Sequence, residues 1–198
     1  MSEPSHDNHD PPAASHFAAA LALGAAACLV FAAFSRHWLV NGRADMMFGL
    51  RDNLTCGSPD CEPTTNAAFV ELIKAMSGNA PDMASNAFAP MGWATTVTCL
   101  LAALGLVGGA ALALAKKRPM LPISPSTIAL LGIMAGLITG CVFVATKPGE
   151  GAFIGVGLGF FVFGIGSVAG IVAAQMLAKI NRPPDPDLMD GAMNPDEF

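Results

Sequence analysis

The sequence predicts an all-α membrane protein: a bundle of four transmembrane helices with a small β-rich extracellular cap in the first loop. Two properties of the whole chain point there. Residues are 53% hydrophobic and only 13% charged, where soluble domains carry about 25% charged residues. The mean hydropathy is +0.53, concentrated in four long apolar runs. The third observation is local: the single long loop carries Cys56 and Cys61 on either side of the turn-forming Gly57-Ser58-Pro59-Asp60. The net charge of -5 lies mostly in the two tails and the first loop, so nothing suggests a nucleic-acid partner.

Residues 1–16 are polar, contain Pro4, Pro11 and Pro12 and lack Lys and Arg, which predicts a disordered cytoplasmic tail. His6 and His9 have a His-x-x-His spacing, but no further ligands lie nearby to complete a coordination shell, and no metal is expected. Residues 17–34 are an unbroken apolar run, long enough for a first span. The acidic segment ahead of it does not suit a signal peptide, so the span is read as retained.

The cap is expected over residues 36–92. Residues 37–40 read as a short strand, followed by the turn pair Asn41-Gly42. Residues 46–56 read as a second strand region containing Phe48, Leu50, Asn53 and Leu54. A hairpin with Cys56 bonded to Cys61 across its neck is the simplest arrangement. So small a ring contributes only about 2 kcal/mol through the unfolded chain, enough to fix a local shape. Residues 66–76 read as a helix with Phe69, Val70, Ile73 and Met76 on one face, Asn66 as its cap and Gly78 as its end. Trp38 follows the first span and Trp93 opens the second, which makes both candidate anchors at one membrane interface.

The remaining spans are expected at residues 94–115, 127–146 and 152–178, followed by an acidic disordered tail at 179–198. Lys116-Lys117-Arg118 in the short connection between the second and third spans favours the cytoplasmic side. Overall Lys and Arg counts do not separate the two sides, but a disulfide persists in oxidising compartments. Both termini are therefore expected in the cytoplasm and the cap outside, in a multi-pass protein of a plasma or inner membrane.

None of the four spans contains Asp, Glu, Lys, Arg or His. Such groups mark proton relays and ion paths inside bilayers, and a haem between helices needs an axial ligand such as His. A proton-coupled transporter and an intramembrane haem are both disfavoured, and no cofactor is expected. Small residues recur instead. Gly132, Gly136 and Gly140 lie four apart, as do Gly151, Gly155 and Gly159, and Gly166 with Gly170. This glycine-zipper spacing lets helices approach closely in lipid, within the bundle or between copies.

The four spans, the long first loop and short second one, Trp38, Gly49-Leu50, and Cys56 with Cys61 resemble the claudin and peripheral-myelin-protein superfamily. That family carries a Trp after the first helix, then Gly-Leu-Trp, then two cysteines bonded between neighbouring strands. Residues 66–76 are similar to its extracellular helix. In this sequence Arg51 stands where the family has its second Trp, both cysteine spacings differ, and Lys147-Pro148-Gly149-Glu150 is a short second connection.

The resemblance implies a claudin-like, non-enzymatic protein for adhesion, scaffolding or lateral assembly, with the lipid bilayer, copies of itself or another membrane protein as partners. Cys56 and Cys61 would fix the cap, with Trp38, Gly49 and Leu50 as its motif. Three alternatives differ in class. One is an accessory subunit of a larger membrane complex. Another is a thiol-disulfide oxidoreductase, against which stands the absence of a Cys-x-x-Cys motif. The last is a small channel lined by the Thr-bearing face of the second span. Asn53-Leu54-Thr55 also matches a glycosylation acceptor pattern.

Overall fold

A computed structural model describes residues 12–42, 45–56, 60–76, 85–115, 123–148 and 154–181. Four helices are long and apolar enough to cross a membrane: α1 (Pro12–Phe34), α3 (Phe88–Ala115), α4 (Pro125–Ala145) and α5 (Leu158–Ile180). Helix α1 packs against α3 and α5, and α4 packs against α3 and α5 on the other side. Small residues fill the interior, among them Ala22, Ala25, Ala102, Ala129, Ala173 and Ala174. Large ones such as Leu104, Leu131, Ile138, Ile165 and Val168 face outward. That distribution suits lipid, where large apolar side chains gain nothing by leaving the acyl chains and small ones permit close helix contact.

The helix ends have local causes. Pro12 opens α1, where a residue without an N–H costs no helical hydrogen bond. The helix thus begins ahead of the expected span, and residues 12–16 are helical rather than part of a disordered tail. Ser124 caps α4, accepting from the Thr127 amide at 3.2 Å, with Pro125 in the first turn. Helix α3 starts at Phe88, before the expected 94, because 88–93 continue the helix out of the cap.

The cap holds five short strands: β1 (Leu39–Asn41), β2 (Met46–Phe48), β3 (Asp52–Cys56), β4 (Cys61–Thr65) and β5 (Ile154–Val156). They form one antiparallel sheet in the order β4-β3-β2-β1-β5. The expected continuous strand through 46–56 is broken by the turn at Gly49-Leu50-Arg51 into β2 and β3. The register pairs Cys56 with Cys61, and a disulfide joins them at the last rung of the β3–β4 hairpin.

Strand β5 lies within the expected fourth span. Residues 154–156 leave the helix and pair with β1, so α5 begins only at Leu158. Gly155 therefore sits opposite Val40 in a sheet, with open space where a side chain would be, and packs no helix.

Helix α2 (Asn66–Met76) follows the predicted bounds. Val70 is buried and Phe69 and Ile73 pack on the core, whereas Met76 is 80% exposed and off the expected face. Its cap is Thr65, whose Oγ1 accepts from the Ala68 amide at 3.2 Å. Asn66 turns inward instead. Gly151, Gly78, the 57–59 turn, the 116–118 triplet and both tail ends lie outside the described residues.

Candidate functional site

The junction where the cap meets the helix ends gathers most of the motif residues. It is built on the turn between β2 and β3. Gly49 donates its amide to Asp52 O at 2.8 Å, closing the turn. A Cβ on Gly49 would lie 2.9 Å from Ser35 O and 3.2 Å from Arg36 Cα, so only glycine lets the turn rest on the end of α1. On the other side, a Cβ on Gly92 would lie 1.8 Å from Leu50 O. The backbone of the turn thus seats directly on α3, with the Leu50 side chain buried. Asn66 holds it from above: Nδ2 donates to Gly49 O and the Asn66 amide donates to Arg51 O, each at 3.0 Å. Arg36 pairs with Asp52 at 3.1 Å.

Trp38 is the second fixture. Its indole is fully buried, and Nε1 donates to Ala32 O at the end of α1, which also accepts from the Ser35 amide at 3.3 Å. The ring sits among Phe163 (centroids 5.2 Å apart), Phe143 and Phe160 (both 6.0 Å). Phe143 stacks on Phe88 at 4.5 Å, Phe88 meets Phe48 at 6.2 Å, and Phe48 meets Phe69 at 5.3 Å. One run of aromatic rings therefore links α2, the sheet and three of the long helices. The expectation that Trp38 anchors the chain at a membrane interface is corrected. Strand β1 folds back over the bundle and carries the indole inside, where its N–H has a protein partner. Trp93 remains 55% exposed on the outer surface.

The N-terminus of α5 joins the same junction. Its Gly159 amide donates to His37 O, and the Gly157 amide donates to Trp38 O, both at 2.8 Å. The His37 carbonyl thereby supplies the cap that Gly157, which has no side chain, cannot. Gly159 is close-packed against Trp38, with a Cβ there only 2.8 Å from Cδ1.

Several glycines of the long helices lie on internal helix contacts. A Cβ on Gly132 would meet Ala102 N at 2.8 Å, and one on Gly105 would meet Ala129 N at 2.6 Å, marking the closest α3–α4 approach. Gly166 faces Cys28 of α1, and Gly170 faces Ile133 and Leu106. Gly136 and Gly140 do not bring two backbones together. The Phe163 ring fills the space beside both, with Thr98 or Thr95 alongside. The regular four-residue spacing is not used as a uniform zipper.

The threonines of α3 turn on their own helix. Thr95, Thr96 and Thr98 reach the carbonyls of Met91, Gly92 and Ala94, and Thr95 also meets Thr139 Oγ1 at 3.0 Å. The face expected to line a channel is thus packed against α4 within one chain. Among the described residues no group of three or more His, Cys, Asp or Glu side chains is placed to hold a metal. Cys28, Cys99 and Cys141 are free thiols on three different helices. Asn53 is wholly enclosed, so the folded cap has no room for a glycan there.

No family model matches this chain, and no curated protein is similar to it in sequence. The junction itself is then the guide to function. Sequence reasoning found Trp38, Gly49, Leu50, Cys56 and Cys61. It missed Gly92, Gly157 and the phenylalanines of the long helices, Phe88, Phe143, Phe160 and Phe163. Gly92 beside Trp93 at a span boundary was a signal, since a glycine entering a helix costs stability unless something approaches it.

Proposed function

We propose that this is a non-enzymatic, claudin-like membrane protein whose cap serves adhesion, scaffolding or lateral assembly. The observation that carries this reading is the fixed seat of the cap. Its turn, its tryptophan and its outermost strand are each bound to helix ends, so the sheet cannot move independently of the bundle. A rigid platform loses little freedom on binding a partner, which favours recognition over gating. The disulfide between neighbouring strands and the helix ahead of α3 are what the resemblance implies.

Exposed Leu72 and Met76 on α2 supply an apolar contact within the cap, and β4 and β5 leave two sheet edges. Pro63 removes one donor from β4, and Lys147 Nζ donates to Ile154 O of β5 at 2.7 Å, so each edge is partly blocked. In this reading both termini are cytoplasmic and the cap faces outward. Co-isolation of two differently tagged copies from mixed membranes tests it. Recovery together, reduced by Leu72→Ser/Met76→Ser, supports self-assembly. Recovery of a single larger partner in fixed ratio makes the chain an accessory subunit. A mixed disulfide trapped through Cys56 or Cys61 makes it a thiol enzyme.

A further inference from the structure

Arg51 has an arrangement that the cap does not need. Its guanidinium lies 4.9 Å from the ring centre of Phe34 and 5.7 Å from that of Trp93. Both rings belong to long apolar helices, and both are more than half exposed. The cation is therefore held on the outer surface of the bundle rather than inside it. No carboxylate neutralises it among the described residues, and the adjacent Asp52 is already paired with Arg36.

Its depth is set by the helices. The apolar run Ala14–Phe34 has 21 residues, about 32 Å of helix, close to the thickness of a bilayer's hydrocarbon core. Phe34 ends that run, so Arg51 stands at the level where acyl chains give way to headgroups. Aromatic rings settle at that level. A planar guanidinium there, left without a protein anion, matches the geometry of a phosphate oxygen pair.

We propose that Arg51, framed by Phe34 and Trp93, binds the phosphate of a phospholipid headgroup, with preference for anionic lipids. The two rings hold the guanidinium at the helix surface, and its N–H groups would donate to the phosphate. The acyl chains of the same lipid lie along α1 and α3 below it. This goes beyond the assembly reading and depends only on the helices crossing a bilayer, so loss of self-association would leave it standing.

The test uses the full chain in vesicles and the emission of Trp93, since Trp38 is enclosed by protein. Phospholipids with brominated acyl chains quench tryptophans they touch. Brominated phosphatidylglycerol, diluted into phosphatidylcholine, is expected to be enriched about fivefold at the site over brominated phosphatidylcholine at the same fraction. Equal quenching by the two lipids in the unaltered protein overturns the proposal, and this arm needs no variant to fold. In Arg51→Gln the preference is expected to vanish while Arg51→Lys keeps part of it. A preference that persists in folded Arg51→Gln also overturns it. Inorganic phosphate is the remaining arm: if it abolishes the preference at ionic strength matched with chloride, the site takes free phosphate rather than lipid, and the proposal fails.

Discussion

The carbonyl oxygen of Leu50 occupies the space that a side chain would need at Gly92. This contact joins a loop backbone to a helix backbone with nothing between them. It explains why a helix that crosses a membrane carries glycine next to its exposed tryptophan.

Gly92→Ala is expected to destabilise the protein. On helix propensity alone the change would gain up to about 1 kcal/mol. Against that stands a methyl group forced into a backbone oxygen, and overpacking costs about 1–3 kcal/mol or more. The steric effect wins, so the net change is a loss. Denaturant titration in detergent reads the sign. A stabilised Gly92→Ala protein would mean that the cap does not sit on α3.

Glycines within the long helices are expected to divide by what they touch. Gly132→Ala and Gly105→Ala should each lower stability by about 1–3 kcal/mol, since backbone atoms stand in the way. Gly24→Ala and Gly164→Ala meet open space and should be neutral or stabilising by up to about 1 kcal/mol. Thermal unfolding of the four variants side by side separates the two classes.

The two tryptophans should behave oppositely. Trp38→Phe removes one of the two donors to Ala32 O, the Ser35 amide remaining, at an expected cost of about 1 kcal/mol. Trp93→Phe, at an exposed site, should stay within about 0.5 kcal/mol. Unfolding midpoints of the two variants check this.

Replacing both bonded cysteines, Cys56→Ser/Cys61→Ser, is expected to cost about 2 kcal/mol without undocking the cap. The turn at Gly49 and the indole of Trp38 hold the cap independently of that bond. Trp38 emission should remain that of a buried indole. A shift to a solvated spectrum would show that the disulfide, rather than the junction, seats the sheet.

The sequence was most legible where one period dominates. Helix α2 declares itself through Phe69, Val70 and Ile73 at helical spacing, with Glu71 and Lys74 between and after them, and its bounds follow. The long helices were found because unbroken apolar runs have few other solutions. Strand β5 was hidden for the same reason: Ile154-Gly155-Val156 adjoins an apolar span, and periodicity alone does not separate so short an apolar strand from a helical turn. Trp38 was misread because its distance along the chain from the first span says nothing of the direction in which β1 then runs. Glycine spacing revealed a face of small residues but not what would enter the gap, which at Gly136 and Gly140 is Phe163.

Strand β1 takes its two neighbours from places far apart in the chain: β2 follows it at once, while β5 comes only after α4. During synthesis from the N-terminus, the outer flank of β1 stays bare until the third long helix has left the ribosome. The sheet is thus finished only after α1, α3 and α4 have been made. Any quality control that senses an unpaired strand would, in this protein, be reporting on whether membrane insertion has passed α4.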